Sequence, residues 1–395
     1  MDLNRRDTIY GMVFSFGGIT QMLSSVLGGG SEASVIGIDI GASSAKIVQL
    51  RSRSGSAILE TYGEIALGPY GGQPVGKAVK LSPEKIAEAI MDLMKEANVT
   101  SRSGGISIPF SSSLISVLEF PKVDSETLKR MVPIEARKYI PIPVADVSLD
   151  WFVIPEDEAE KSAFDRVSGP PVSSKSPVQE VLLVAIHNDT ISAYQTIAGT
   201  AGIHVEFYEI EIFSSVRSSL SHGIAPILVV DLGAATTKMY IVERGIIRLT
   251  HLVTNGGQHM TETLARSLGW EFEKAERVKR ERGLNDSAAY STDENDKIKT
   301  AMLSTLSRLF SEINRVLLSY GQRYNKSVTH VVLTGGGASL PGLSAYAKEA
   351  LNSDVAIADP FARTEAPAFL GEVLRQIGPG FSVSIGLVLR KLKSK

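Results

Sequence analysis

The sequence predicts an α/β protein of two lobes, each built on the same strand-turn-strand unit, with a smaller subdomain inserted into the first. Three stretches predict it. From Val35 to Leu50, VIGIDIGASSAKIVQL reads as an apolar strand running into Asp39, a tight turn at Gly41 with Ser43 and Ser44, and a second strand carrying Lys46. From Ile227 to Val242, ILVVDLGAATTKMYIV repeats the acid, glycine, hydroxyl pair and lysine as Asp231, Gly233, Thr236 with Thr237, and Lys238. The offset is constant at 192 residues, the step from Asp39 to Asp231, which marks two related halves. A third stretch, VVLTGGGASLPGL from Val331 to Leu343, again sets glycines after an apolar strand.

The chemistry these stretches suit is phosphate binding. A glycine lets backbone N–H groups approach phosphate oxygens, hydroxyls add donors, and an acid orders Mg2+ through its water shell. A single copy would look much like an ordinary glycine hairpin. Two copies facing one another make a clamp, with Asp39 and Asp231 placed for the metal. The bare backbone of Gly335, Gly336 and Gly337 suits a flat base or ribose.

At 395 residues there is room for two or three domains, and 43% hydrophobic content is ordinary for a globular chain with a sizeable core. Cysteine is absent, which excludes disulfides and thiolate metal sites and suits a cytoplasmic address. A formal charge of -2 argues against a nucleic-acid footprint, and the six histidines lack the spacing of a helical metal site. Residues 1 to 33 differ from the rest: Arg5 and Arg6 precede an uncharged run from Thr8 to Ser31. Within it Ile9, Met12, Phe16, Ile19, Leu23 and Val26 fall on one helical face. Glycines and a polar second half disfavour a signal peptide or a spanning helix, leaving a helix on a membrane or partner, or a disordered arm.

Along the chain, a third strand is expected at 57 to 66, then a flexible Gly/Pro-rich loop from Gly68 to Lys80. A helix follows with Ser82 as N-cap and Pro83 at its first position, then the strand ISIPF. A new unit begins near Ser112 with the strand SLISVLEF and a helix from Ser125 to Tyr139 that Pro133 should bend or split. It continues with a strand from Ser148 to Ile154, a polar segment from Pro155 to Pro177, the strand VQEVLLVAI, a helix from Asp189 to Ala201 and a strand from Ile203 to Tyr208. A helix starting near Glu211 returns to the first core. After the second hairpin, Gly256 and Gly257 precede one helix, and Glu276 and Lys279 share a face of the next. A polar loop from Asn285 to Lys297 precedes a helix from Ile298 to Tyr324.

The two hairpins and the third glycine turn resemble the actin-like ATPase superfamily, over roughly residues 34 to 390. That fold pairs two ribonuclease H-like halves and is shared by actin, sugar kinases, MreB and FtsA. The insertion resembles the 1C (SHS2-like) subdomain of FtsA, and EARKYIPIPVADVSLDWFVI, residues 135 to 154, is similar to a signature of the PilM family of type IV pilus assembly. VLLVAIHNDTI and SVSIGLVLR also resemble that family. The resemblance implies an N-terminal arm (1–33), core 1A (34–111 and 206–224), inserted 1C (112–205), core 2A (225–250 and 325–395) and 2B (251–324). It implies Mg2+ and ATP in the cleft, held by Gly41, Ser43, Ser44, Lys46, Gly233, Thr236, Thr237 and Gly335 to Gly337, with Asp39 and Asp231 at the metal. Glu276 and Lys279 match an A-E-x-x-K pattern at the ribose and base, against which stands a simple surface ion pair. Glu211 matches the position of an acid that orients the attacking water, with any ATPase activity slow; a favourable charge at a helix N-terminus is the other account. The implied partner is a PilN-like inner-membrane protein, whose cytoplasmic N-terminal peptide recruits an otherwise cytoplasmic scaffold; pilus motor ATPases are further candidate partners. An FtsA-like, filament-forming division protein is the alternative, disfavoured by a C-terminus without a long linker and amphipathic helix. A secretion protein of the GspL class should continue into a transmembrane helix.

Overall fold

The computed structural model describes residues 34–53, 55–155, 178–221 and 223–393. The N-terminal arm and all but the first residue of the segment from Pro155 to Pro177 lie outside the described residues. The chain divides into two compact units, one of residues 111–191 and one that joins the preceding residues to everything from Ser192 onward.

The larger unit opens with β1 (Ser34–Ile40), β2 (Ser44–Arg53), β3 (Ser56–Ala66), α1 (Pro83–Glu96) and β4 (Ser103–Ile108). β1 is buried along most of its length, which is why Val35 to Ile38 read as an apolar run ahead of Asp39. The α1 start obeys its sequence signal: Ser82 Oγ accepts from the Lys85 N–H at 3.4 Å, with Pro83 in the first turn. The chain then enters the smaller unit through β5 (Ser113–Pro121), α2 (Ser125–Ala136), β6 (Val147–Val153) and β7 (Val178–His187). These strands form an antiparallel sheet in the order β5-β7-β6. Leu128, Val132 and Ala136 of α2 pack against Leu118, Phe120, Val181 and Leu183 of that sheet. α2 runs through Pro133 and ends three residues later, so the proline neither splits nor halts it there.

α3 (Asn188–Thr200) leads out, followed by β8 (His204–Ile210) and α4 (Glu211–Ser219). Here the structure corrects the sequence reading. The strand expected to complete the inserted unit is β8, and it pairs in parallel with β4 in the first lobe's sheet, ordered β3-β2-β1-β4-β8. The second lobe follows with β9 (Ile227–Leu232), β10 (Thr237–Glu243), β11 (Ile246–Val253), α5 (Gly257–Leu268), α6 (Phe272–Arg282) and α7 (Thr292–Tyr324). It closes with β12 (His330–Thr334), α8 (Leu343–Leu351), β13 (Asp354–Ile357), α9 (Gly371–Ile377) and α10 (Ser382–Lys393). Its sheet runs β11-β10-β9-β12-β13, the first lobe's order repeated strand for strand. α7 begins six residues before the expected Ile298, because Ser291 and Glu294 form a reciprocal capping box inside what reads as a polar loop.

α10 does not stay with the second lobe. Its Ile385, Val388 and Leu389 complete the apolar cluster of Val35, Val48 and Leu50, and Val383 and Leu387 meet Phe207. The approach is backbone to backbone. A Cβ on Gly37 would lie 2.1 Å from the Ser384 carbonyl oxygen, and one on Gly386 1.9 Å from that of Ser214. Arg390 of α10 and Arg217 of α4 both pair with Glu209 of β8, at 2.9 and 2.7 Å, all three side chains being buried.

Candidate functional site

The duplicated hairpins fold into duplicate geometry. Asp39 lies directly across the ladder from Lys46, and Asp231 directly across from Lys238. Each turn closes with a glycine N–H donating to the residue three positions on, Gly41 to the Ser44 carbonyl at 2.9 Å and Gly233 to that of Thr236 at 3.0 Å. A Cβ on Gly233 would sit 2.8 Å from that same Thr236 oxygen, so this closure needs glycine. Ser44 Oγ accepts from Lys46 Nζ at 2.8 Å, while Glu64 holds the other side of the ammonium at 3.0 Å. Thr236 is partly exposed, but Thr237 is buried and its hydroxyl donates to the Asn255 carbonyl at 2.7 Å, bracing the turn from behind.

The acids of both hairpins enter one electrostatic neighbourhood. Lys238 Nζ lies 3.1 Å from Asp231 Oδ2 and 2.5 Å from Glu211 Oε2, and Glu211 Oε1 accepts the Phe110 N–H at 2.7 Å. Burial pushes the Asp39 carboxyl above its ordinary range, opposed by Lys46, by a 2.7 Å hydrogen bond from Ser107 Oγ and by Lys238. Glu211 is likewise raised by burial, against the pull of Lys238. Burial also opposes the charge on Lys238, yet Asp231 and Glu211 hold it protonated well beyond the ordinary lysine range. The result is one ammonium paired with two carboxylates, one from each lobe, with the carboxyl of Asp39 within its electrostatic reach.

The third glycine turn lies on this cluster. Gly335 adopts φ +79°, and a Cβ there would fall 2.3 Å from Asp231 Oδ1. Its N–H donates to the Pro379 carbonyl at 2.9 Å, and the residue after that proline, Gly380, faces Gly336 and Lys46 Cε, where a Cβ would make ordinary contacts at 3.7 and 3.4 Å. Gly337 backs onto Leu232. On the α5–α6 side, Glu276 Oε2 accepts from Thr261 Oγ1 and from Lys279 Nζ, both at 2.6 Å, and its Oε1 accepts from Arg280 Nε. The pair is therefore real but buried, with 7% and 12% of the two side chains exposed, which departs from a surface ion pair. Burial pushes Glu276 up, but Lys279 outweighs it and leaves the carboxyl below its usual range, whereas burial wins at Lys279 and lowers it.

The structure thus gathers Asp39, Asp231, Glu211, Lys46 and Gly335 to Gly337, and it adds members that sequence reading passes over. Ser107 was legible in principle as a lone hydroxyl in an apolar strand. It sits one step beyond the paired Ile38 and Ile106, as Thr334 pairs with Asp231 in the second sheet. Gly380 and Lys238's bridging role carry no sequence signal, since each depends on a partner more than twenty residues away. Among the described residues no group of three or more metal-ligating side chains forms a protein cage. A cation at the two aspartates would therefore rest largely on water and ligand oxygens. Among the described residues no helix is long and apolar enough to cross a membrane.

Comparison with known proteins agrees with this architecture. The model of the family described as type IV pilus assembly protein PilM matches residues 37–392. The structure resembles a solved chain of a PilM–PilN type IV pilus biogenesis complex with a TM-score of 0.74 at 23% identity, covering 92% of this chain and 99% of that one. It also resembles MreB 5 of Spiroplasma citri bound to AMPPNP, with a TM-score of 0.50 at 13% identity, over 92% of this chain and 98% of that one. Among curated relatives, the cell division protein FtsA of Rhizobium meliloti is 29% identical over 182 residues, 40% of this chain. The match spans only 39% of that relative's length. At such identities the structural likenesses establish the fold: two-lobed, α/β and actin-like.

Proposed function

The chain belongs to the PilM family of type IV pilus assembly proteins, and from that premise we propose that it is an ATP-binding scaffold of pilus assembly. In this reading it is cytoplasmic and peripheral to the inner membrane, recruited by the cytoplasmic N-terminal peptide of a PilN-like protein. The observation that carries the nucleotide part is the repeated turn: two acid-glycine-hydroxyl hairpins in identical register, whose carboxylates share one electrostatic neighbourhood. The residues fit Mg-ATP. The turns around Gly41 and Gly233 offer backbone N–H groups and the hydroxyls of Ser43, Ser44 and Thr236 to phosphate oxygens. Asp39 and Asp231 are the acids placed to order a hydrated Mg2+, which when bound would neutralise phosphate charge. Gly335 to Gly337 provide a bare wall for the adenosine, and the buried Glu276 and Lys279 hydrogen-bonding groups for its ribose and base.

Turnover is expected to be slow. Both carboxylate oxygens of Glu211 already accept a hydrogen bond, one from the Phe110 N–H and one from Lys238, so a water there would compete with the Lys238 ammonium until Lys238 turns to phosphate. Phosphoryl transfer depends on such positioning. Nucleotide then serves as a structural ligand or a switch, and motor ATPases of the pilus remain candidate further partners. An extended peptide suits the partner role because main-chain hydrogen bonds and a few side-chain pockets give specificity without a large surface.

Calorimetric titration of the full chain with Mg-ATP, then with a synthetic peptide of the cytoplasmic N-terminus of the PilN-like inner-membrane protein, tests both parts. Binding of both is expected. No peptide binding with or without ATP, together with ATP-dependent filaments on lipid, would replace this reading by an FtsA-like division protein.

A further inference from the structure

The two phosphate turns are joined to one another through a single side chain. In the first turn the Ala42 carbonyl accepts the Val79 N–H at 3.0 Å. The adjacent Ala78 N–H donates to Gln258 Oε1 at 2.7 Å, and the Gln258 N–H donates to the Ala234 carbonyl of the second turn at 2.9 Å. Ala42 and Ala234 occupy the same position in the two copies, so the path connects equivalent carbonyls across the cleft. Every link but one is backbone. The exception, the Gln258 amide, is itself fixed by donation from Nε2 to Glu262 Oε1 at 2.8 Å.

Neighbouring contacts keep the loop on this path. Gly76 adopts φ +90° and lies flat on Glu276, where a Cβ would come within 2.7 Å of the carboxylate. Lys77 Nζ stands 5.3 Å from the ring centroid of Phe272, the first residue of α6. A loop expected to be flexible is instead tied to both lobes.

We propose that Gln258 is a positioning residue: with residues 76–79 it sets the separation of the two phosphate turns and so the grip on a polyphosphate. This rests on the nucleotide reading above, but the bridge itself does not. A turn that binds phosphate oxygens gains little if its partner turn sits at the wrong distance, because the oxygens of one polyphosphate are fixed relative to one another. Adenosine, which carries no phosphate, should not register the bridge.

Three proteins decide it: the parent, Gln258→Ala, and the double variant Gln258→Glu/Glu262→Gln, which keeps an acceptor for Ala78 and a hydrogen bond between the two side chains at unchanged net charge. With Mg2+ present, Gln258→Ala should bind ATP about ten-fold more weakly while its adenosine affinity stays within about two-fold, and the double variant should recover most of the loss. Because the chain has no cysteine, spin labels at Glu84→Cys in α1 and Glu273→Cys in α6 report the lobe separation without background. That distance distribution should broaden in Gln258→Ala and return in the double variant. Unchanged ATP affinity, or equal losses for ATP and adenosine, overturns the positioning role. A parent that binds no ATP removes the nucleotide reading instead, and an unchanged distance distribution then removes the bridge as well.

Discussion

Asp39 and Asp231 occupy one place in two copies of a hairpin, and each is expected to hold a separate share of a hydrated cation. Asp39→Ala and Asp231→Ala should each abolish the magnesium-dependent part of ATP binding, measured by calorimetry with and without the metal. Parent-like binding by both would end the two-hairpin clamp. Lys238 makes a different prediction, about stability. Lys238→Met leaves Glu211 and Asp231 buried without their cation, which should cost about 3–5 kcal/mol in urea unfolding. Adding Glu211→Gln should return much of that loss; a double variant as unstable as the single would show that the ion cluster is not the cause. The aspartates were legible because duplication singles them out from ordinary strand acids. Ser107 offers only a lone hydroxyl in an apolar strand and Gly380 no signal at all, since both gain their meaning from what they face.

At the level of elements, local signals carried well where the chain supplies its own partner. The Ser82 cap, the paired hairpins and the helix after Gly256 need only neighbours in sequence. The assignments that failed depended on distant pairing. β8 follows the inserted unit in sequence, yet its register with β4 is decided by a sheet begun over a hundred residues earlier. α7 shows the reverse case, a local capping box hidden in a polar run where apolar periodicity had not yet begun. The Glu209 cluster lends itself to a pH test. Burial pushes its carboxyl up, but Arg217 and Arg390 outweigh that and hold it below its ordinary value. A folded value below the unfolded one, about 4.3, gives stability that is present above the unfolded value and lost as pH falls through the folded one. Glu209→Gln should therefore cost about 3–5 kcal/mol at neutral pH, and parent and variant melting curves should converge as pH drops below about 4. A gap that persists into acid would mean the loss comes from packing alone.

For the whole molecule, the sequence shows the two lobes and their insertion through repeat and composition, while the route of the chain between them appears only in three dimensions. Residues 1–33 lie outside the described residues, and their apolar stripe predicts a measurable property. If Ile9, Phe16, Ile19 and Leu23 enter a membrane, each contributes at most about 1.5–3 kcal/mol, and the intact chain should co-sediment with liposomes where a chain lacking residues 1 to 30 does not. Equal sedimentation would assign the stripe no membrane role. The placement of α10 has a consequence for how the protein is made. Roughly 350 residues separate Ile36 from Ile385, yet Val35 and Val48 are covered by the helix that holds Ile385. At about 5–20 residues per second a ribosome needs roughly 20–70 s to travel between them. Throughout that interval the first lobe's sheet emerges with an apolar face that nothing made so far can cover, so its nascent form is a natural client for chaperones. A message cut short late in its reading frame would leave the first lobe's sheet uncovered even though the second lobe's own core, whose last member is Val355, had been made in full.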